Sequence, residues 1–566
     1  MRILSFLKYL MILIGVPGFS QSYQAFEVMI TEVMFDPVPI VGMGGYEYIE
    51  LYNSGGDTVN LVDWIWQVGN KSVMLSDYSL NPGSCVLLLP PDIRPDQEVN
   101  YLNLNKWPVL SNSGQYLVLK DHHGRLIHFM EYSPGLYPDA LKRDGGWSLD
   151  LICRAYPCSQ SSWKPSRDLP GGTPGFLVAE ECHNETNEKV KPLRCGYLDS
   201  LHGFLYLSHY LRPDTRTEEL MISSSAARVN RWEFVDDRTN CILFAVSVPI
   251  IPEQIIKWHI SGEAESCGGQ QIVPNSVRWT KPVRPDSSDI LVSEILFNPG
   301  SEGIEFIELY NASDSSVDAG SLIIATINDD GTVKDFSLGM KHSYLFFPGE
   351  YIVFSNDQSW MYRIYPDMPI ENHCLRKDLP AFINSGGNIR VLNSDQIILD
   401  EIRYDPDWQN KRIADHKGVS LERLSFSVSG LDRDNWFSSA SLSGFATPGY
   451  ENSQFIGDTS AEAHSIYLQN SVFSPDLDGI NDLAIIHFRM NQIGFSGQIE
   501  VRNHSGLLIR EIQSWNLLPV QGQFLWDGIN NDGRTVDSGL YILLFNYRHP
   551  DGSGGRWKKA VAVRNY

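Results

Sequence analysis

Residues 30–53, ITEVMFDPVPIVGMGGYEYIELYN, return at residues 292–311 as VSEILFNPGSEGIEFIELYN. Each copy is typical of a short strand, a loop with proline and glycine, and a second strand that ends in Glu-Leu-Tyr-Asn. An internal repeat of this kind decides the fold, because one structural unit is then built twice.

The match between the two copies continues downstream of this block. The separation of equivalent residues grows only from 258 (311 − 53) to 274 (449 − 175). The shared features are Pro82-Gly83 and Pro348-Gly349, Asn112-Ser113-Gly114 and Asn384-Ser385-Gly386, Ser148-Leu149-Asp150 and Ser420-Leu421-Glu422, Trp163 and Trp436, and Thr173-Pro174-Gly175 and Thr447-Pro448-Gly449. Residues 27–180 and 290–452 are therefore predicted to superpose, with Glu50 and Glu308 at equivalent strand positions.

The pattern of apolar residues predicts strands rather than helices. No long apolar stripe of period 3.6 is present, and short alternating runs are separated by turn residues. One example is the pair of runs 116–120 and 126–132, which flank Asp121-His122-His123-Gly124 and predict a hairpin. Many short strands with regular turns indicate an all-β chain of sandwiches or barrels.

The N-terminus is typical of an export signal. Arg2 and Lys8 precede an apolar run from Tyr9 to Val16, and Pro17-Gly18 follows. This pattern predicts a signal peptide over residues 1–25, and the run is shorter than the roughly 20 residues that span a bilayer. No later stretch predicts a transmembrane helix. The net charge of −23 argues against a nucleic-acid partner, which requires clustered lysine and arginine.

Eight cysteines behind a signal peptide predict disulfides. Cys153 and Cys158 are close enough in sequence to bridge a tight turn, and Cys182–Cys195 and Cys241–Cys267 are further local pairs. Cys85 and Cys374 lie at non-equivalent places in the two repeats, so they are either buried thiols or a bridge between the repeats. No CxxC or HxxxH spacing occurs, which argues against zinc.

The repeated motifs resemble the bacterial lamin-tail domain. The resemblance rests on (I/V)-x-E-(I/V)-(M/L)-F-(D/N)-P, then E-(Y/F)-I-E-L-Y-N, an NSG-strand and a terminal W…TPG, and both repeats carry it over nearly their full length. It implies an immunoglobulin-like sandwich that serves as a non-catalytic interaction module, usually on exported proteins. The fold class is thus predicted as tandem immunoglobulin-like β-sandwiches joined by short linkers.

The chain between the repeats has a different composition. Residues 183–285 contain strand-like runs and are predicted to form a small β domain, with residues 280–289 (TKPVRPDSSD) as a Pro-rich linker. A polar segment, residues 453–465, precedes the C-terminal domain and lacks apolar anchors. We therefore expect few contacts across it.

Residues 466–566 resemble the immunoglobulin-like C-terminal domain of gliding-motility-associated and flagellar hook-cap proteins. The marks are FSPDLDGIND at 473–482, WDG at 526–528 and SGLY at 538–541. Such domains commonly end type IX secretion cargo, so the resemblance implies a sorting signal that also anchors the protein at the surface. The alternative is an ordinary terminal sandwich with no sorting role.

Three groups of residues are candidate sites. Asp476, Asp478, Asn481 and Asp482 surround a glycine and offer oxygens to Ca²⁺. The alternative is an Asx-rich turn that caps backbone N–H groups, and Leu477 departs from the Asn that often precedes Asp-Gly in the family. The second candidate is a pair of carboxyl groups that recurs in both repeats, Glu32 with Glu50 and Glu294 with Glu308. Each pair either acts as general acid and base or fixes the end of a strand. The third candidate is a metal site formed by His122, His123 and His128.

Two functions from different classes follow. No HExxH, GxSxG, Walker or GxGxxG motif is present. The first function is a non-catalytic structural or adhesive protein, secreted or on the outer surface of a Gram-negative bacterium, without a cofactor other than possible Ca²⁺. Its partners would be protein or glycan ligands, and the secretion machinery through residues 466–566. The second is an exported Ca²⁺-dependent hydrolase or an accessory to one.

Overall fold

The computed structural model describes residues 23–564 except 43, 183–188, 236, 252, 301–302, 458–463 and 477. The predicted signal peptide lies almost wholly outside these residues. The all-β prediction is confirmed: in the described chain the two α-helices are short, α1 (Ala140–Arg143) and α2 (Gln358–Ile364). No helix in this part of the chain is long and apolar enough to cross a membrane. Single 3₁₀ turns occupy Pro134–Leu136, Gln160–Ser162, Thr217–Glu219, Ala319–Ser321, Ile370–Asn372, Pro406–Trp408, Arg433–Asn435 and Ser441–Ser443.

The first copy, called repeat 1 (27–180), is a sandwich of a six-stranded and a four-stranded sheet. Its strands are β1 (Val28–Met34), β2 (Tyr48–Asn53), β3 (Val59–Asn60), β4 (Ile65–Val68), β5 (Lys71–Met74), β6 (Ser79–Leu80), β7 (Cys85–Leu89), β8 (Tyr101–Asn103), β9 (Gln115–Lys120), β10 (Leu126–Tyr132), β11 (Leu149–Leu151) and β12 (Trp163–Pro165). The sheet orders are β12-β11-β1-β2-β7-β8 and β10-β9-β4-β5, with β3 and β6 paired separately. Strands β9 and β10 form the predicted hairpin.

The middle domain (183–285) is smaller, with two sheets around one apolar core. Its strands are β13 (Pro192–Tyr197), β14 (His202–Leu207), β15 (Leu220–Ser223), β16 (Val229–Val235), β17 (Arg238–Val246), β18 (Ile256–Gly262) and β19 (Asn275–Trp279). Their orders are β13-β14-β17-β16 and β15-β18-β19. The core includes Trp258 and Trp279 and extends onto Leu345 and Phe347 of the second copy, so these two units share a packed interior.

The second copy, repeat 2 (290–452), has the strand order of repeat 1. Its strands are β20 (Ile290–Leu296), β21 (Phe306–Asn311), β22 (Val317–Asp318), β23 (Ile323–Ile327), β24 (Val333–Phe336), β25 (Leu345–Phe346), β26 (Tyr351–Ser355), β27 (His373–Leu375), β28 (Gly387–Leu392), β29 (Ile398–Tyr404), β30 (Leu421–Arg423) and β31 (Trp436–Ser438). The orders β27-β26-β21-β20-β30-β31 and β24-β23-β28-β29, with the pair β22-β25, match repeat 1 strand for strand. Glu50 and Glu308 lie at equivalent strand positions, as the duplication predicts.

The C-terminal domain (466–566) has its own two sheets and its own core. Its strands are β32 (Ser465–Leu468), β33 (Val472–Phe473), β34 (Ala484–Arg489), β35 (Ser496–Asn503), β36 (Leu508–Leu517), β37 (Gln521–Trp526), β38 (Gly539–Arg548) and β39 (Gly554–Val563). The orders are β32-β34-β37 and β33-β39-β38-β35-β36. Alternating strands such as β34 send every second side chain into the core between the sheets.

The six-stranded sheet of each repeat is covered on both faces. All seven residues of β1, and all seven of β20, are buried. One face of each sheet packs on the four-stranded sheet. Smaller apolar clusters lie on the other face, beneath the loops of the repeat, and include Met34, Tyr48, Leu87 and Leu89 in repeat 1 and Leu296, Phe306, Val353 and Met361 in repeat 2. Carboxyl groups on this outer face are therefore also removed from water.

Both observed disulfides differ from the predicted pairs. Cys153 is bonded to Cys182, and Cys158 is bonded to Cys267 of the middle domain. The predicted Cys153–Cys158 bridge is wrong because the turn between these residues directs them to different neighbours. The segment that returns after β12 passes beside β11, where the Glu181 N–H donates to the Ile152 carbonyl, and this brings Cys182 to Cys153.

The remaining predicted cysteine pairs are also wrong. Cys195 and Cys241 are buried within the middle domain and take part in neither disulfide. Their predicted partners, Cys182 and Cys267, are bonded to Cys153 and Cys158 of repeat 1 instead. Cys85 and Cys374 do not bridge the two repeats and are thiols, which agrees with the other alternative left open for them; Cys374 is buried and Cys85 is partly buried. Proximity in sequence was a poor guide here, because the domains pack against one another.

Repeat 1, the middle domain and repeat 2 contact one another in all three pairs. Glu131 of repeat 1 accepts hydrogen bonds from the Tyr210 hydroxyl (2.8 Å) of the middle domain and from the Lys377 ammonium (3.1 Å) of repeat 2. Arg143 of repeat 1 lies over the ring of Trp360 in repeat 2, 5.1 Å from its centroid. The three units therefore form one packed assembly rather than a string of separate sandwiches.

The two linkers are also held against the domains. In the Pro-rich linker, the Val283 N–H donates to the Ser316 carbonyl (2.7 Å). The expectation of few contacts before the C-terminal domain is not met. Gln454 Nε2 donates to the Leu518 carbonyl (2.9 Å), and the Val520 N–H donates to the Ser453 carbonyl (2.9 Å). Ser453 and Gln454, the first two residues of the linker, thus dock residues 518–520 through a backbone carbonyl and a side-chain amide.

Arg194 is the main polar contact between the middle domain and repeat 2. Its guanidinium is buried and donates to the carbonyls of Leu345 (2.8 Å) and Glu371 (3.1 Å), to Asn372 Oδ1 (3.1 Å) and to the Glu350 carboxylate. Glu350 also pairs with Arg278, and the Glu371 carbonyl also accepts from the Tyr344 hydroxyl, so removal of the guanidinium weakens the hydrogen bonding of these two partners without abolishing it.

Replacing Arg194 by alanine should lower the stability of this interface by about 3 kcal/mol, because a buried guanidinium that donates to four partners is lost and a hydrogen bond to a charged group contributes roughly 1.5–3 kcal/mol. Limited proteolysis of residues 280–289 measures the loosening, and cleavage should accelerate markedly. Arg231→Ala, at an exposed position on β16, is the matched control and should leave the rate unchanged. Equal cleavage rates for the wild type and Arg194→Ala would contradict the assigned role.

Candidate functional site

A row of three buried carboxyl groups crosses the outer face of each six-stranded sheet. In repeat 1, Glu32 on β1 is the cross-strand neighbour of Glu50 on β2 and of Asp150 on β11. In repeat 2, Glu294 has the same relation to Glu308 and Glu422. We call Asp150, Glu32 and Glu50 carboxyl row 1, and Glu422, Glu294 and Glu308 carboxyl row 2.

A β-bulge in the first strand of each repeat aligns the row. The register shifts between Ile30 and Glu32 in repeat 1, and between Val292 and Glu294 in repeat 2. A bulge sets two residues of one strand against one residue of its partner and re-aims the side chains that follow. The bulge residue Thr31 donates its hydroxyl to Glu50 Oε1 (2.6 Å), so it also supplies a hydrogen bond to the row.

Glu32 gathers donors from three separate parts of repeat 1. Its Oε1 accepts from the Tyr48 hydroxyl (2.5 Å), the Ser148 hydroxyl (2.6 Å) and the Thr173 N–H (2.8 Å). Glu50 Oε2 accepts from the Gly175 N–H (2.6 Å). The row therefore fastens the Thr-Pro-Gly loop at the end of the repeat to the first two strands.

Carboxyl row 2 makes the same connections in repeat 2. Glu294 Oε1 accepts from the Ser420 hydroxyl and the Thr447 N–H (2.9 Å), and Glu308 Oε2 accepts from the Gly449 N–H (2.6 Å). Glu422 accepts from the Thr447 hydroxyl (2.9 Å). The motifs E…E, S-L-(D/E) and T-P-G, which lie far apart in sequence, thus meet at one place in each repeat.

Glycine is required where the loop donates to the row. Gly175 and Gly449 have φ of +88° and +84°, in the left-handed region that glycine adopts at no steric cost. A Cβ on Gly175 would lie 2.5 Å from Val99, and a Cβ on Gly449 would lie 2.9 Å from Pro369. Only glycine therefore lets the backbone N–H at these positions reach the carboxyl groups without strain.

Burial makes these carboxyl groups weak acids. It raises the pKa of Glu50 to about 7, that of Asp150 to about 6 and that of Glu294 to about 8. The pKa values of Glu32 and Glu308 are raised well above the ordinary value by burial and by the charges of neighbouring carboxyls. Hydrogen bonds to the carboxylates oppose these shifts without cancelling them.

The rows are built for structure rather than for contact with a substrate. Glu32 and Glu50 are each 1% exposed, and Glu294 and Glu308 are fully buried. A general acid or base must lie within hydrogen-bond distance of the group that it serves. The strand-fixing interpretation of the carboxyl pairs agrees with this geometry. The sequence predicted the two glutamate pairs but did not place Asp150 and Glu422 beside them. The S-L-(D/E) motif, which occurs in both repeats, could have indicated these two residues.

The three histidines do not form a cluster. His128 is fully buried and its Nδ1 accepts the Ile30 N–H (2.8 Å), while burial lowers its pKa to about 4. His122 and His123 are exposed at the tip of the β9–β10 hairpin, with ring centroids 4.0 Å apart. The predicted histidine metal site is therefore wrong, because the pleat directs His128 into the core and away from the tip.

The acidic loop of the C-terminal domain does bring its carboxylates together. Ligand atoms of Asp476, Asp478 and Asp482 lie within 4.8 Å of one another. All three accept loop N–H groups: Asp478 donates to Asp476 Oδ1 (3.3 Å), Ile480 to Asp478 Oδ1 (2.7 Å) and Gly479 to Asp482 Oδ2 (2.9 Å). Asn481 Oδ1 instead accepts from the Asn470 amide (2.6 Å). These bonds are those of an Asx-rich turn, and the Ca²⁺ site stays a prediction.

The Lamin Tail Domain family matches residues 21–134, which include the first two thirds of repeat 1. No curated protein matches this chain. Solved structures that resemble it include the S-layer protein rSbsC(31-844), with 8% identity over 67% of this chain and 54% of that one, and a TM-score of 0.15. A tetra-tandem repeat from the extending region of a large adhesion protein is 8% identical over 95% of this chain and 98% of that one, with a TM-score of 0.14. A DUF4876 family protein from Bacteroides thetaiotaomicron VPI-5482 is 11% identical over 44% of this chain and 92% of that one, with a TM-score of 0.17. Similarities with TM-scores this low do not indicate a shared function.

Proposed function

We propose that this chain is an exported, non-catalytic protein of the surface of a Gram-negative bacterium. Repeat 1, the middle domain and repeat 2 form a rigid structural or adhesive head. The C-terminal domain acts in secretion and surface attachment. The ligands of the head are surface proteins or glycans.

The Cys158–Cys267 disulfide carries this proposal. It joins repeat 1 to the middle domain across 109 residues of sequence. Structural disulfides persist outside the reducing cytosol, so this bond favours an exported protein. The bond also prevents the two domains from separating, which suits a protein that transmits force or presents a fixed surface.

The carboxyl rows support a structural role for the repeats. Each row ties the last loop of a sandwich to its first strands through hydrogen bonds between 2.6 and 2.9 Å. A β-sandwich closed in this way holds its N- and C-terminal segments together, and a pull on one is passed directly to the other. Two such units in one packed head are suited to bearing load.

The C-terminal domain is the part of the chain that we assign to export. The support is its resemblance to the terminal domains of type IX secretion cargo and its separate apolar core, which includes Phe473, Trp526 and Phe545. From repeat 2, the partly buried Leu442 packs against this core. A domain with its own core can be recognised by a secretion system independently of the head.

Deleting residues 466–566 should leave the head folded but retain it in the periplasm. Protease treatment of intact cells measures surface exposure, and we expect the truncated chain to be protected while the full chain is digested. The head is scored as folded when peptide mapping under non-reducing conditions recovers both disulfides. A truncated protein that still reaches the surface would leave only an ordinary terminal sandwich.

Two fusions provide the matched test of sufficiency. A soluble reporter behind a signal peptide should reach the surface when it carries residues 466–566, in a host with type IX machinery. The same reporter with residues 290–452 should remain in the periplasm, because that β-sandwich lacks the sorting features. Adherence of cells that display the full chain, compared with cells that lack it, tests the adhesive role separately.

A further inference from the structure

A cleft of about 1450 Å³ lies where repeat 1, the middle domain and repeat 2 meet. Repeat 1 contributes Ser159 and Ser161, the middle domain contributes Gln270, and repeat 2 contributes Trp360 and Tyr450. We propose that this cleft binds a neutral oligosaccharide. The inference rests on the proposed adhesive function and names the ligand class of the head.

The walls of the cleft are held in place before any ligand arrives. Both cysteines of the Cys158–Cys267 disulfide line it, and so do Glu131, Tyr210 and Lys377, which hydrogen-bond across the three-domain junction. A preformed site does not lose binding free energy to the ordering of loops. The cleft therefore has the rigidity of a binding site and not of a gap between mobile domains.

The chemistry of the walls fits sugars on two counts. Six serines, two asparagines and three glutamines line the cleft and offer neutral hydrogen-bond donors and acceptors. Repeat 2 adds the aromatic rings of Trp360, Tyr362 and Tyr450. A sugar ring has hydroxyl groups around its edge and C–H groups on its faces, so it pairs with both kinds of wall. Tyrosine and tryptophan present the same combination of an apolar body and a polar tip.

The balance of charge favours a neutral ligand. Three lysines and four acidic residues line the cleft, and one pair, Lys377 and Glu131, is already joined. A site for a sulfated or uronic acid polymer would present an excess of cations, because a field of one sign attracts the opposite charge. The remaining charges in this cleft are mixed and supply no such field.

The size of the cleft favours a chain of several sugars. Pockets for small molecules typically enclose about 300–1,000 Å³. This cleft is larger and is partly open to solvent, so it has room for several sugar units. A single monosaccharide would leave most of the walls without contact.

Tyr450 and Asn356 are the residues to vary, because neither holds the domains together. Tyr450 is 47% exposed, and its hydroxyl donates to the Asp367 carbonyl within repeat 2. Asn356 is exposed beside the N-terminus of α2. Tyr467, 56% exposed on β32 of the C-terminal domain and outside the cleft, is the matched control.

The test is isothermal titration of the full chain without its signal peptide against neutral hexasaccharides of glucose, mannose, xylose and N-acetylglucosamine. At least one should bind, and Tyr450→Ala and Asn356→Ala should each weaken that binding about tenfold or more, whereas Tyr467→Ala should not change it. A hexamer of galacturonic acid and a mixture of hexapeptides serve as competing probes and should not displace the sugar.

Three outcomes overturn the proposal. They are no binding to any neutral hexasaccharide, equal binding by the wild type and both cleft variants, and binding of the anionic or peptide probe in place of the sugar. Recovery of both disulfides in each variant shows that the head is folded. Surface exposure of the chain is measured in the separate protease experiment on intact cells. If the chain reaches the surface but binds no sugar, this inference is refuted and the proposed function still stands.

Discussion

The Cys158→Ser variant should lose about 4 to 5 kcal/mol of stability in repeat 1 and the middle domain. The bond closes a loop with a sequence separation of 109 residues, and the chain-entropy model assigns about 4.7 kcal/mol to a loop of about 100 residues. The variant should also loosen the three-domain junction, where Tyr210 of the middle domain packs against Tyr116 and Phe129 of repeat 1 beside the disulfide.

Scanning calorimetry of the oxidised full chain measures this loss. The transition of the head should move to lower temperature, and that of the C-terminal domain, which has its own core, should remain in place. Cys153→Ser is the matched control: its bridge spans 29 residues, so the loss should be smaller, about 3 to 4 kcal/mol. An unchanged head transition in Cys158→Ser, or a peptide map that joins Cys153 to Cys158, would refute the assignment.

The head should become less stable as the pH rises from about 6.5 to 8. Burial raises the folded pKa of Glu50 from 4.5 to about 7 and that of Glu294 to about 8. A group with a raised folded pKa adds stability that is fully present below the unfolded pKa and is lost as the pH rises through the folded pKa. For Glu50 alone, the shift of 2.5 from 4.5 to 7 corresponds to on the order of 3 kcal/mol in total, most of which is lost between pH 4.5 and 7, so Glu294, with its higher folded pKa, contributes more of the decline above pH 6.5.

The buried histidines set the lower limit of this pH window. Burial lowers the pKa of His128 to about 4 and that of His373 to about 3. Such a group loses stability as the pH falls below its unfolded value, about 6.5, so it opposes the carboxyl effect at lower pH. The net decline should therefore be clearest above pH 6.5.

Glutamine variants isolate the carboxyl contribution. In urea unfolding between pH 5 and 9, Glu50→Gln and Glu294→Gln should each flatten the decline, because the amide keeps the shape of the neutral acid and does not ionise. Glu233→Gln, at an exposed position on β16, should reproduce the wild-type profile. A wild-type stability that rises steadily from pH 6.5 to 8 would contradict the raised pKa values.

Local patterns in the chain were sufficient to predict the all-β fold and the duplication. Alternating apolar residues and Gly, Pro and Asn turns act over a few residues, so strands such as β9 and β10 and their hairpin could be read directly. The repeated motifs marked the equivalent positions of the two sandwiches, including Glu50 and Glu308. These features depend on residues that are close in sequence, so one sequence is enough to reveal them.

The disulfides and the carboxyl rows were decided by tertiary structure. Cys158 is five residues from Cys153 but 109 from its partner Cys267, and only the packing of two domains brings them together. In the same way, Glu32 meets Thr173 across 141 residues because β1 and the last loop of repeat 1 lie on one face of the sheet. Contacts of this kind form when distant segments close on one another, and no local pattern of residue types encodes which segments those are.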